Sequence, residues 1–160
     1  MTFEIDAKRG VANHYGVRTT NQKFGGQVDD DLIKTAAWTF SYSDLPAGGT
    51  NKLQYSIPAY AKILNARLEI ITAFTSTSTT TDLTVGLEQA DGTDIDLDGL
   101  VTAANATQDT IGAVGLITGS GALVGASIGA AAGEVVVTPS VADLLTGEAR
   151  LVVQYLPVAP

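Results

Sequence analysis

Three carboxylates recur at alternate positions in Asp94-Ile95-Asp96-Leu97-Asp98-Gly99, a stretch whose residue types and spacing could hold a metal ion. Alternate carboxylates followed by glycine open a calcium loop, in which several oxygens converge on one hard cation. Asp94, Asp96 and Asp98 are therefore the metal candidates, and Val101 stands where such loops carry an apolar residue. The pattern fails where the chemistry needs it most. Position twelve is Asn105 in place of a bidentate glutamate, and Ile95 and Leu97 are apolar where loop residues are polar. The better reading is a tight turn at Asp91-Gly92, a strand end, and Asp98 capping a short helix. No metal and no other cofactor is expected.

Other chemistry is thinner still. His14 is the single histidine, so a Ser-His-Asp triad would have to be built on it, and it lies in the polar cluster Asn13-His14-Tyr15 with no nucleophile elbow nearby. Glycoside hydrolysis needs paired carboxylates, and sugar clefts lean on aromatics. The one tryptophan, Trp38, falls on the apolar face of its strand and reads as core. The glycines at 112, 115, 119 and 121 are not followed by Lys-Ser or Lys-Thr, which excludes a phosphate-binding loop of that kind. The chain has no cysteine, so disulfides, thiolate zinc sites and cysteine nucleophiles are excluded as well. No enzyme is expected.

The elements that would position any site are strands. In residues 35–43, Ala36, Trp38, Phe40 and Tyr42 fall on one face and threonines, serines and Ala37 on the other. Leu53, Tyr55 and Ile57 alternate in a second strand that Pro58 ends. Residues 62–74 repeat the pattern, with Leu64, Ala66, Leu68, Ile70 and Phe74 pointing one way and Asn65, Arg67 and Glu69 the other. Ser76–Thr81 is a polar loop, and Leu83, Val85 and Leu87 mark a strand over 82–89. A short helix is expected over 97–106, strands over 134–138 and 149–156, and a single helical turn over 141–145 ending at Gly147. Six or so strands with frequent turn signals, and no strand–helix alternation, predict an all-β fold: an antiparallel β-sandwich of jelly-roll or Greek-key type over 32–160. Residues 1–31 lack sustained periodicity and read as an extended N-terminal arm that orders against a partner.

Charge is divided along the chain. No lysine or arginine lies between Arg67 and Arg150, while residues 68–149 carry eleven acids; residues 1–67 hold eight cations and six acids. Such a split predicts a two-sided molecule whose acidic body repels nucleic acid, anionic membrane and its own copies. The arm's cations, Lys8, Arg9, Arg18 and Lys23, are matched by acids, so nucleic acid is not expected as a partner. Residues 111–133 run 23 positions without a charge, with Gly121, Gly125, Gly129 and Gly133 recurring every four. That length could span a bilayer, but seven glycines and six alanines leave a thin hydrophobic driving force. A pair of short strands with Gly-rich turns is the expectation there, without membrane insertion. The opening residues hold no apolar run after a basic stretch, so a secretory signal is not expected.

Several stretches resemble structural proteins of tailed-phage virions. They are Asn13-His14-Tyr15-Gly16-Val17-Arg18-Thr19-Thr20 with Phe24-Gly25-Gly26, then Gly86-Leu87-Glu88-Gln89-Ala90-Asp91-Gly92-Thr93 followed by Asp96-Leu97-Asp98-Gly99-Leu100, then Gly121–Gly129, and the ending Ala149–Tyr155. The resemblance implies a small β-sandwich present in many copies, most like a capsid decoration (cement) protein on the outer surface of the virion. It implies the major capsid protein and further copies of this chain as partners, a homotrimer favoured. The arm side chains His14, Tyr15, Arg18 and Phe24, with their donors and aromatic rings, are the expected partner-binding residues. A tail or adsorption-apparatus subunit and a carbohydrate-binding β-module are the alternatives.

Overall fold

The chain reverses at Gln89–Thr93, where the Gln89 amide donates to the Thr93 carbonyl (2.7 Å) and the Gly92 amide to the Gln89 carbonyl (3.0 Å). Gly92 takes φ +88°, which glycine adopts without steric cost. This is the Asp91-Gly92 turn marked by the sequence, and it is the tip of one long ribbon folded on itself. The structure, a computed structural model, describes residues 33–45, 51–140 and 143–157. Its strands are β1 (Lys34–Ser41), β2 (Asn51–Ile57), β3 (Lys62–Ser76), β4 (Leu83–Glu88), β5 (Asp94–Val101), β6 (Gly115–Thr118), β7 (Gly133–Pro139) and β8 (Leu144–Leu156). Outward from the tip they pair antiparallel, β4 with β5, β3 with β6, β2 with β7 and β1 with β8. Additional β3–β8 and β4–β7 ladders curl the ribbon into two four-stranded sheets. Sheet I has the order β1-β8-β3-β6 and sheet II the order β2-β7-β4-β5. The fold is an all-β jelly roll, the sandwich the strand pattern predicts.

The core lies between the sheets and comes from the inward member of each alternation. From sheet I it takes Ala36, Phe40, Ile63, Ala66, Leu68, Ile70, Phe74, Ala149, Leu151, Val153 and Tyr155; sheet II supplies Ile57, Leu83, Val85, Leu87, Leu100, Val101, Val135 and Val137. Phe40 and Phe74 stack with centroids 6.4 Å apart and Trp38 packs against this cluster, so the core reading of the tryptophan holds. Tyr42, expected on the same face, instead enters a 3-10 turn (Tyr42–Asp44) and is exposed.

Four further expectations are corrected. At the start of β3, Ile63 and not Leu64 is buried, because a register shift between Ile63 and Asn65 reverses the alternation. Residues 97–106 are not a helix: β5 runs to Val101, Asp98 lies within it, and the only α-helix among the described residues is the single turn α1 (Gln108–Ile111). Gly86 explains why the chain can stay extended there. Val85 pairs with Val101 and Leu87 with Asp96, so residues 97–100 bulge opposite Gly86, where a Cβ would collide with the Asp96 and Leu97 main chain. Leu144–Gly147 belong to β8 and are not a helical turn, while 141 and 142 lie outside the described residues.

The fourth correction concerns 111–133, which holds one strand, β6, and not a pair. Beyond β6 the chain continues along the edge of β3, with the Gly119 amide donating to Ala66 O (2.8 Å), Gly125 to Ile63 O (2.8 Å) and Ile128 to Ala61 O (3.1 Å). It also touches the other sheet, the Leu123 amide donating to Gly99 O (2.9 Å). One uncharged, glycine-rich segment thus closes the side of the sandwich between β3 and β5. Gly121 allows the close approach, since a Cβ there would meet the Asp98 and Gly99 main chain. No helix among the described residues is long and apolar enough to cross a membrane.

Candidate functional site

The carboxylates Asp94, Asp96 and Asp98 share a strand, and a strand spreads alternate side chains along a line where a calcium loop must wrap them around a point. Asp94 pairs with Glu88 beside the hairpin tip. Asp96 and Asp98 come close at the bulge, where the Asp98 amide donates to Asp96 Oδ1 (3.3 Å). Burial, followed by contact with the Asp98 carboxyl, raises the pKa of Asp96 above the ordinary aspartate value, although the Asp98 amide pulls the other way. Among the described residues no group of three or more ligand side chains could hold a metal ion. Asn105, the would-be twelfth ligand, has another task. Its Oδ1 accepts from Thr102 Oγ1 and from Ser120 Oγ, both at 2.5 Å, tying the turn after β5 to the closing segment.

The arm residues His14, Tyr15, Arg18 and Phe24 lie outside the described residues. The described surface that stands out is the outer face of sheet I. Its outward side chains follow the ladders: Thr39, Arg150, Glu69 and Leu116 form one row across the four strands, and Ala37, Val152, Arg67 and Thr118 the next. Arg150 reaches Glu69 through Nε (3.0 Å) and Nη2 (2.5 Å) in an exposed ion pair. At the β6 end of these rows an open recess of about 440 Å³ is lined by Arg67, Glu69, Ile70, Val114, Gly115 and Leu116. Val114 is 72% exposed and Leu116 60%. Ile71, 42% exposed, adds to them, because the β3–β8 register shifts between Ile70 and Thr72 and Ile71 bulges out beside the Ile70–Gly115 pair.

The charge split of the sequence is carried by the sheets. Strands of sheet I hold Lys34, Lys62, Arg67 and Arg150 against Glu69 and Glu148. Strands of sheet II hold Glu88, Asp94, Asp96, Asp98 and Glu134 against Lys52. The sequence predicts a near-neutral N-terminal part against an acidic body; residues 1–32 lie outside the described residues, and within the sandwich the division of charge runs between the sheets. Sequence reasoning missed the apolar patch because Val114 and Leu116 sit in the uncharged stretch, where burial was the natural expectation. The alternation of Leu116 with Ile117 was the available signal: Ile117 is buried and Leu116 is not.

No family model matches the sequence. No curated protein matches it either. The fold has counterparts in solved structures. A chain of the acid-stable capsid of Helicobacter pylori bacteriophage KHP30 superposes with TM-score 0.55 at 17% identity, over 80% of this chain and 90% of that one. A chain of the cyanophage Pam1 capsid asymmetric unit gives TM-score 0.56 at 16% identity, over 94% and 99%. A chain of the capsid of Ralstonia phage GP4 gives 0.52 at 18%, over 79% and 86%. At these identities the likeness is one of fold. Each neighbour is matched over nearly its whole length, so each is a single small β-sandwich chain and not a domain of a much longer one.

Proposed function

We propose that this chain is a structural protein of a tailed-phage virion, a decoration (cement) subunit that binds the outer surface of the capsid and stabilises it without catalysing a reaction. The observation that carries the reading is the jelly roll shared, over nearly the full length of the neighbours, with chains from three phage capsids. The resemblance of the N-terminal stretch supports the same placement. In this reading residues 1–31 grip the major capsid protein through His14, Tyr15, Arg18 and Phe24, and the subunit also meets copies of itself. Repetition over a shell strengthens each weak contact through multivalency. The acids of sheet II suit an outward position, because like-charged surfaces keep particles apart in solution.

The test is the copy number of this chain in purified virions, counted against the major capsid protein by quantitative mass spectrometry. A number comparable to the shell subunit is expected. A handful of copies would move the chain to the tail or adsorption apparatus, and absence from particles would sink the structural role.

A further inference from the structure

We infer that the apolar patch formed by Ile71, Val114 and Leu116 on the outer face of sheet I is where a second copy of this chain docks. The inference rests on the reading of the chain as a repeated structural subunit, and names the surface through which it meets its own kind. Exposed large apolar side chains are ordinary when scattered and mark contacts when contiguous. Here Val114 and Leu116 line a recess at the sheet edge with Arg67, Glu69, Ile70 and Gly115, and exposed Ile71 follows Ile70 in β3 beside it.

Charge selects the occupant. The chain carries a net charge of −8, so two copies repel wherever their acidic sheets approach. The outer face of sheet I is different: Arg67 and Arg150 stand among Glu69 and Glu148, so both signs occur beside the apolar centre, and Lys62 lies farther along β3. Arg67 makes no ion pair with any described residue, whereas Arg150 is held by Glu69. A second copy brought to this face therefore meets carboxylates for Arg67 and apolar surface for Leu116, instead of uniform acid. Partial desolvation of such a mixed rim around an apolar centre is the usual anatomy of a protein interface.

The experiment is the mass of the full chain in solution, by light scattering and sedimentation, over a concentration series. The wild type is expected as a multiple of the 16.5 kDa chain. Leu116→Asp and, separately, Val114→Asp should weaken association at least tenfold, while Leu145→Asp, an exposed apolar position in β8, should leave it unchanged; circular dichroism melts check that each variant folds. A wild type that stays monomeric throughout, or patch variants that keep the wild-type mass, would overturn the assignment. Virion occupancy of the same variants separates the two proposals. If Leu116→Asp keeps the mass but leaves the particle, the patch faces the shell and self-docking is wrong. If the mass falls as expected but the wild type is absent from particles, the docking face stands and the virion role fails.

Discussion

Asp96 holds its proton more tightly in the folded chain than in the unfolded one, because the β5 bulge half-buries it beside Asp98. A carboxyl whose folded pKa is raised costs stability when ionised: the cost is absent below the ordinary value of 3.8, grows as pH rises toward the raised value, and is complete above it. Asp96→Asn keeps an oxygen for the Asp98 amide and removes the charge. Its melting temperature should therefore exceed the wild type's at pH 7 and converge with it near pH 3, as read by thermal melts across that range. A variant less stable than wild type at pH 7 would show that the charged form is held by something other than the groups described. The sequence marked this cluster as the place where ionisable groups meet, and composition gave the reason to doubt a metal there: apolar Ile95 and Leu97, and Asn105 in place of glutamate. What it could not reveal is that Asp98 stays in a strand, since that depends on Gly86, ten or more positions away, having no side chain.

Gly147 shows why strand boundaries were harder to read than strands. It looked like a helix stop, yet it sits inside β8 at φ +127°, and a Cβ there would strike the Phe74 ring. Gly147→Ala adds backbone strain of about 1–3 kcal/mol to an overpacked contact of similar size. The melting temperature should drop by roughly 5 °C or more, given about 2–4 °C per kcal/mol for a domain of this size. Gly115→Ala is the matched control, because nothing lies near its Cβ and its φ is ordinary; its stability should stay within about 0.5 kcal/mol of wild type. Equal melts for the two variants would refute the packing account. The period-two alternation found β1, β2, β3 and β4, since one buried face imposes that pattern, and runs of apolar residues marked β7 and most of β8. It failed where tertiary contact decides. Register shifts moved Ile63 inward, and Gly119, Gly121 and Gly125 let the segment after β6 run along β3 without regular alternation. The four-residue glycine spacing marks close approaches and turns, with Gly125 and Gly129 both at φ +87°.

Across the whole sandwich, the difference in charge between the two sheets follows from how a jelly roll deals its strands. The ribbon sends β1, β3, β6 and β8 to one sheet and β2, β4, β5 and β7 to the other, so a cation-free run from 68 to 149 places three of its four complete strands, β4, β5 and β7, in sheet II. Arg67 and Arg150, the cations that bound that run, end on adjacent strands of sheet I. A linear charge pattern thus becomes a facial one, with mixed charge on the strands of one sheet and mostly acid on those of the other. Among the described residues every buried side chain of the core cluster falls between Ala36 and Tyr155, and all of these lie outside the deleted stretch 1–31. The truncated chain should keep its β-rich circular dichroism spectrum and a cooperative melt, because the eight strands and their hydrophobic contacts remain. Its retention on phage shells should fall at least tenfold in co-sedimentation, since the proposed grip on the capsid is lost while the self-docking face is kept. Because that grip is assigned side chains of both charge and aromatic character, added salt should weaken the full chain's retention only in part. Undiminished retention of a well-folded truncation would move the capsid contact from the arm to the sandwich, and the outer face of sheet I would then be the first surface to mutate.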